Sequence, residues 1–299
     1  MIVVILIILL SVYLFLFLSF KKKKDNFIGF KPLKNNTKIK IINGKFINDH
    51  LNINVKEIGN GKKVIIIENF FKDPKYHLEY IKNNKNNEVS QHKNSGYPGV
   101  RIGGNKNLVN EVIGFLSFVG IIYYNKDTSK YSVIIDDNGY SIINFPNYKL
   151  SHGNIYPHVD CSYSKDNKIK RSGLACVVYL CDTTKKYNGT GFYELKYPIY
   201  KKKFKTDEKY KEAREIMKKY EINPKYCVDK EERIFKKIYE VDAKMNRIVI
   251  YPTYYIHQGI VNSDYHEDEN NISSDRYTYT GFTFFEDIKV DQNDIEEPD

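Results

Sequence analysis

Hydrophobic residues fall along this chain in three textures. The first is an unbroken apolar run at residues 2–20, IVVILIILLSVYLFLFLSF, with no charged residue inside it. A helix needs roughly 20 apolar residues to cross the hydrocarbon core of a bilayer, so the run predicts a transmembrane helix. It has no basic n-region, is long for a signal-peptide core and does not end in small residues, so an uncleaved anchor is expected. Lysines occupy positions 21–24 directly after it, and the positive-inside rule then places the bulk of the chain on the cytoplasmic side. Residues 21–61 are polar and rich in Asn and Lys, and read as a linker with at most one early strand at KIKIING.

The second texture is helical. A β-branched strand, VIII, leads to Asp73-Pro74, an N-cap followed by proline at the first helical position, which starts a short helix. In NKNLVNEVIGFLSFVG, Leu108, Val112, Phe115 and Val119 recur at helical spacing and predict a second helix with one core-facing stripe. Beyond residue 131 the third texture takes over. Short runs rich in β-branched and aromatic residues (YSVIID, YSIINF, GNIYPHVDCSY, GLACVVYLCD, GTGFYELK, NRIVIYPTYYIHQG and RYTYTGFTFFED) are separated by Gly, Asn, Asp and Pro. That punctuation is the mark of a β-sandwich or jelly roll. One amphipathic helical insertion interrupts it at about 205–222, where Ala213, Ile216, Met217 and Tyr220 line one face. The tail at 288–299 is acidic and reads as disordered. The chain therefore divides into an anchor (1–20), a linker (21–61), a mostly β domain (62–287) and a tail.

Composition changes this picture little. The 299 residues carry a formal charge of +10, but lysines are interleaved with acids and no nucleic-acid-binding motif is present, so nucleic acid is not an expected partner. The four cysteines have no C-x-x-C spacing, which argues against a zinc knuckle or redox pair.

The candidate chemistry begins at His158-Val159-Asp160. In an extended strand, residues two apart project to the same side, so the imidazole and the carboxylate would point together. They would supply two ligands of a 2-His-1-carboxylate triad, with a third required from elsewhere. Downstream, NRIVIYPTYYIHQG ends an apolar strand at His257, and RYTYTGFTFF places Arg276 and Thr278 on one face of a further strand. The chain thus reads His-x-Asp, a long gap, His, then Arg-x-Thr.

In these motifs, and in NFFKDP, YPGVR and the pair GLACVVYLCD and GTGFYE, the sequence resembles the Fe(II)- and 2-oxoglutarate-dependent dioxygenases, in particular their prolyl 4-hydroxylase-like branch, over residues 64–285. The resemblance implies a double-stranded β-helix (jelly roll) with flanking N-terminal helices. It implies that His158, Asp160 and His257 ligate Fe(II), that Arg276 pairs with the distal carboxylate of 2-oxoglutarate, and that Thr278 hydrogen-bonds beside it. Tyr148 or Tyr156 could assist there, and the choice between them stays open. Three ligands on one face of Fe(II) leave positions for a bidentate 2-oxo acid and for O₂. The planar guanidinium fork suits the far carboxylate as a lysine would not.

Two features depart from the family pattern. The acidic loop NSDYHEDENNISSD pushes Arg276 further from His257 than is usual, and the helical insertion lengthens the gap between Asp160 and His257. His266, inside that loop, competes as third ligand, but His257 follows a strand that fixes its direction. By analogy the substrate is a protein or peptide side chain. Two other readings stand beside this one: a non-catalytic jelly-roll component of a membrane-bound particle, such as a viral envelope, and a cupin-like metal enzyme that uses no 2-oxo acid.

Overall fold

The computed structural model describes residues 36–41, 44–59, 61–84, 100–124, 131–132, 138–143, 157–160, 172–181, 189–195, 235–260 and 276–285. The apolar run at 2–20, the expected helix at 205–222, the acidic tail, Tyr148, Tyr156 and His266 lie outside these residues. The described strands are β1 (Thr37–Lys40), β2 (His50–Gly59), β3 (Lys62–Ile67), β4 (Val100–Gly103), β5 (Tyr131–Ser132), β6 (Gly139–Ile143), β7 (Ser172–Tyr179), β8 (Gly189–Leu195), β9 (Phe235–Asp242), β10 (Ile248–Pro252), β11 (His257–Gly259) and β12 (Arg276–Phe285). Two helices, α1 (Pro74–Asn83) and α2 (Lys106–Tyr124), fall between β3 and β5.

The strands form two antiparallel sheets. The larger runs β1-β2-β3-β10-β7-β12-β6-β4, with β5 also on β12, and the smaller runs β11-β8-β9. The central strands β3, β7 and β10 are nearly continuous in apolar residues because both their faces are buried. Alternation sends Leu174, Cys176 and Val178 of β7, with Ile65, Ile67, Ile248 and Ile250, into one core against Ile81 of α1 and Leu108, Val112, Leu116 and Val119 of α2. It sends Ala175, Val177 and Tyr179, with Val64, Val249 and Tyr251, into a second core against Phe192 and Val241 of the smaller sheet. The result is a mostly β sandwich of jelly-roll-like form with helices on one outer face.

Local signals placed both helices. The Asp73 carboxylate caps α1, accepting from the N–H groups of Lys75 (3.0 Å) and Tyr76 (3.3 Å). Helix α2 is long and apolar enough to cross a membrane, but half of its apolar window is buried inside the protein and it packs on β12 and β7. Gly120 permits that approach, since a Cβ there would stand 2.5 Å from the Phe285 ring. Glu111 of α2 accepts from the backbone N–H groups of Lys45 (3.0 Å), Phe46 (3.1 Å) and Ile47 (2.8 Å), tying the N-terminal segment across the helix.

Two readings of the sequence are corrected. Besides the early strand at KIKIING, which is β1, the segment assigned to a linker contributes the ten-residue β2 to the larger sheet, with Leu51 and Ile53 buried and Asn52 and Asn54 on the exposed face. The polar Asn and Lys positions there are the outer half of a period-2 strand, not a stalk. The strand expected around His158 is reduced among the described residues to an isolated bridge, His158 with His257.

Candidate metal centre

The larger sheet hands one histidine to the smaller sheet. Strand β10 ends at Pro252, a turn closed by Tyr255 N–H on the Pro252 carbonyl (3.0 Å) redirects the chain, and His257 opens β11 opposite Phe192 of β8. The segment carrying His158 and Asp160 docks on this turn through its main chain. His158 and His257 exchange both N–H···O bonds, each 2.9 Å, and Asp160 N–H donates to the Thr253 carbonyl at 2.8 Å. Backbone pairing therefore joins two segments remote in sequence.

The side chains converge. His257 Nε2 lies 3.2 Å from Asp160 Oδ2, and His158 Nε2 lies 3.7 Å from Asp160 Oδ1. One ligand atom from each of the three residues falls within 4.8 Å of the others. His257 Nδ1–H donates to the Tyr255 carbonyl at 3.0 Å, which leaves Nε2 as the lone-pair nitrogen of the neutral ring. A lone pair then faces a carboxylate oxygen that is buried and has no hydrogen-bond partner. Two acceptors at 3.2 Å repel unless a cation lies between them, either a proton or a metal ion. A proton there is favoured by the charges of the pair itself. Burial disfavours a charged His257, but Asp160 outweighs it and raises the imidazole above its ordinary value. Burial likewise works against ionised Asp160, while the two imidazoles and Arg101 hold the carboxyl below its usual range. Two imidazole nitrogens and one carboxylate suit Fe(II) with open positions. The side chains of His257, Asp160 and His158 are 7, 13 and 29% exposed, so the cluster opens toward solvent on the His158 side.

Arg276 and Thr278 point from β12 into the same interior, on the face shared with Ser141 of β6 and Tyr179 of β7. Arg276 Nη2 donates to the Gly189 carbonyl (3.2 Å), and its guanidinium lies 5.8 Å from the centre of the Tyr179 ring. A Cβ at Gly259, two residues after His257, would stand 3.6–3.8 Å from the guanidinium, so the Arg276 head lies in ordinary contact distance of β11. Arg276 Nε and Thr278 Oγ1 are buried and have no hydrogen-bond partner. A donor and a hydroxyl left this way, two residues apart on one strand face, are matched to an anionic oxygen ligand.

Sequence reasoning did not single out Tyr179, whose hydroxyl donates to Thr190 Oγ1 at 2.7 Å and whose ring backs Arg276. Burial pushes its phenol up to about 12, against the lowering effect of Arg276, so it stays neutral. Its inward direction follows from the period of GLACVVYL, but 26 tyrosines in the chain concealed it. Of the remaining described histidines, His77 is structural: buried, stacked on Phe71 at 3.9 Å and 2.6 Å from the Tyr140 hydroxyl. His50 lies on the exposed face of β2.

Among solved structures, the chain is distantly similar to a prolyl 4-hydroxylase from Phytophthora capsici, at 12% identity and a TM-score of 0.39, over 77% of this chain. The chain spans 64% of that protein's length. No curated protein matches the sequence. A family model does match, across residues 49–283, and on that match the chain belongs to the family of unknown function DUF6445.

Proposed function

We propose that this protein is an Fe(II)- and 2-oxoglutarate-dependent oxygenase of double-stranded β-helix fold, with His158, Asp160 and His257 as the metal ligands. The observation that carries the reading is the convergence of two imidazole nitrogens on the two oxygens of one carboxylate, His257 Nε2 beside Oδ2 and His158 Nε2 beside Oδ1 of Asp160, with one ligand atom of each residue within 4.8 Å of the others. When bound together, the metal and the 2-oxo acid supply dioxygen activation: one oxygen atom enters a substrate C–H bond, the other enters succinate, and CO₂ leaves. The chain's own residues bind and orient. Arg276 and Thr278 take the distal carboxylate of 2-oxoglutarate, Tyr179 and the Gly189 carbonyl hold the guanidinium in place, and the Tyr255 carbonyl fixes the His257 tautomer. Tyr251, whose ring packs on His257, and Phe192, which packs on Tyr251 and pairs with His257 across β8 and β11, keep water from its inner side. The apolar run at 2–20, followed by four lysines, supports attachment of this domain to a membrane on its cytoplasmic side.

The test uses the full chain in detergent micelles. One equivalent of Fe(II), or of Mn(II) as an inert substitute, is expected to bind, and 2-oxoglutarate to be converted slowly to succinate. His158→Ala, Asp160→Ala and His257→Ala are each expected to abolish tight metal binding. A chain that binds no divalent metal, or whose three variants bind it as the parent does, removes the proposal.

A further inference from the structure

Strand β10 leaves the larger sheet at Pro252, between two neighbours. By the register of Ile250 with Ile65, Pro252 falls opposite Lys63 of β3. Proline has no N–H to give the Lys63 carbonyl, and the Pro252 carbonyl already accepts from the Tyr255 N–H at 3.0 Å. The main-chain groups of Lys63 on that side therefore lack a strand partner and need another. Two tyrosine hydroxyls supply it. Lys63 N–H donates to the Tyr255 hydroxyl at 3.1 Å, and the Tyr123 hydroxyl donates to the Lys63 carbonyl at 2.9 Å. The two hydroxyls stand 3.1 Å apart. Each carries one proton and that of Tyr123 goes to Lys63, so Tyr255 donates to Tyr123 and a circuit of three hydrogen bonds closes. On the other side of the gap, Thr253 N–H donates to the Gly173 carbonyl at 3.0 Å and Gly173 N–H donates to Thr253 Oγ1 at 3.1 Å. The Tyr124 hydroxyl donates to that same Gly173 carbonyl at 3.0 Å. Adjacent tyrosines at the end of α2 thus grip both flanking strands where β10 departs.

The turn released at this point carries a candidate ligand. Its Tyr255 carbonyl accepts from His257 Nδ1 at 3.0 Å, and its Thr253 carbonyl accepts from the Asp160 N–H at 2.8 Å. Tyr255 is therefore held at both ends, its carbonyl on the imidazole and its buried hydroxyl on β3 and α2. A shift of the turn would move His257, the acceptor that sets its tautomer and the main-chain contact to Asp160 together. We propose that Tyr255 and Tyr123 are positioning residues for the metal centre: their paired hydroxyls hold the turn that aims His257 Nε2. Neither residue belongs to the converging triad. The proposal rests on the metal-centre reading and extends it to the end of α2, which then contributes to the strength of metal binding without supplying a ligand.

The full chain in detergent micelles is titrated anaerobically with Mn(II) by calorimetry and with Co(II) by its visible absorption. Tyr255→Phe and Tyr123→Phe each remove one hydroxyl and keep the ring. Both are expected to weaken Mn(II) binding about fivefold or more and to change the Co(II) ligand-field band, as loss of support behind a metal ligand does. In the metal-free protein, the Lys63 amide is expected to exchange its hydrogen about tenfold faster or more in Tyr255→Phe, which reads the broken bond directly. Glu111→Ala, which frees the N-terminal segment from α2 away from this turn, controls for general loss of stability. Its Mn(II) affinity is expected to stay within about twofold of the parent, because distant sites act independently. Tyrosine variants that bind Mn(II) within about twofold of the parent with an unchanged Co(II) band overturn the proposal, and so does an equal loss in Glu111→Ala. Failure of the parent chain to bind either metal is a different result and removes the metal-centre reading itself.

Discussion

On the proposed oxygenase reading, replacing Arg276 by alanine separates the cosubstrate site from the metal site. The guanidinium is buried, donates one bond to the Gly189 carbonyl and keeps Nε without a partner. A carboxylate bound there is a desolvated, charge-assisted contact. Truncating one member of such a pair costs about 2–5 kcal/mol, because the surviving charge is left buried. At about 1.4 kcal/mol per decade, affinity for 2-oxoglutarate should fall by about 30-fold to a few thousand-fold. Metal affinity should change less than about threefold, since none of the three ligands contacts Arg276 through a described hydrogen bond or ion pair. Calorimetry on the anaerobic Mn(II) form measures both constants in one preparation. Arg276→Lys should recover the charge but not the fork, and fall between. Thermal unfolding of each variant shows whether loss of the Gly189 contact has disturbed β8. If Arg276→Ala binds 2-oxoglutarate within threefold of the parent while remaining folded, the cosubstrate's distal carboxylate is not at Arg276.

Three further outcomes follow from the same physical accounting. Thr278→Val replaces an unsatisfied buried hydroxyl by a methyl of the same shape, so the ligand-free protein should gain up to about 1 kcal/mol in denaturant unfolding while 2-oxoglutarate binding weakens several-fold; a loss of stability would mean that the hydroxyl has a structural partner. Glu111→Ala strips the acceptor from three backbone N–H groups and should cost about 2–4 kcal/mol by the same assay, with Glu111→Gln recovering part. Burial holds His77 down at about 4, so in that window the unfolded chain binds the extra proton; the stability is complete above the unfolded value near 6.5 and about 3 kcal/mol is lost as pH falls to about 4. His77→Phe should flatten that slope, and an unchanged slope would show that His77 is not its source.

The parts of this protein legible in its sequence are those specified by short-range rules. Asp73-Pro74 announced α1 because a cap and a fixed φ act within one turn, and the stripe through Leu108, Val112, Phe115 and Val119 announced α2. The apolar strands β7, β10 and β12 were equally plain. The candidate ligands were readable as an ordered set, but their meeting was not. It depends on the turn at 253–256, which drops His257 out of the larger sheet, and on a main-chain exchange with His158 that no local pattern encodes. Strand β2 was hidden in another way: LNINVK alternates with period 2, yet its Asn and Lys residues resemble those of a linker. Strand β9, FKKIYEVD, escaped because charges outnumber its buried positions. Arg101 was visible within the YPGVR motif, but its burial against Ser141 and Thr280 depends on the register of β4 with β6 and of β6 with β12.

The paired amide bonds between His158 and His257 have a consequence for how an ion would come and go. Folding itself gathers the chelating groups, so little chain ordering remains to be done at the moment of loading. Stripping the ion with a strong chelator should therefore leave a native, cooperatively melting apoprotein that reloads quickly, in contrast to zinc fingers, which collapse without their metal.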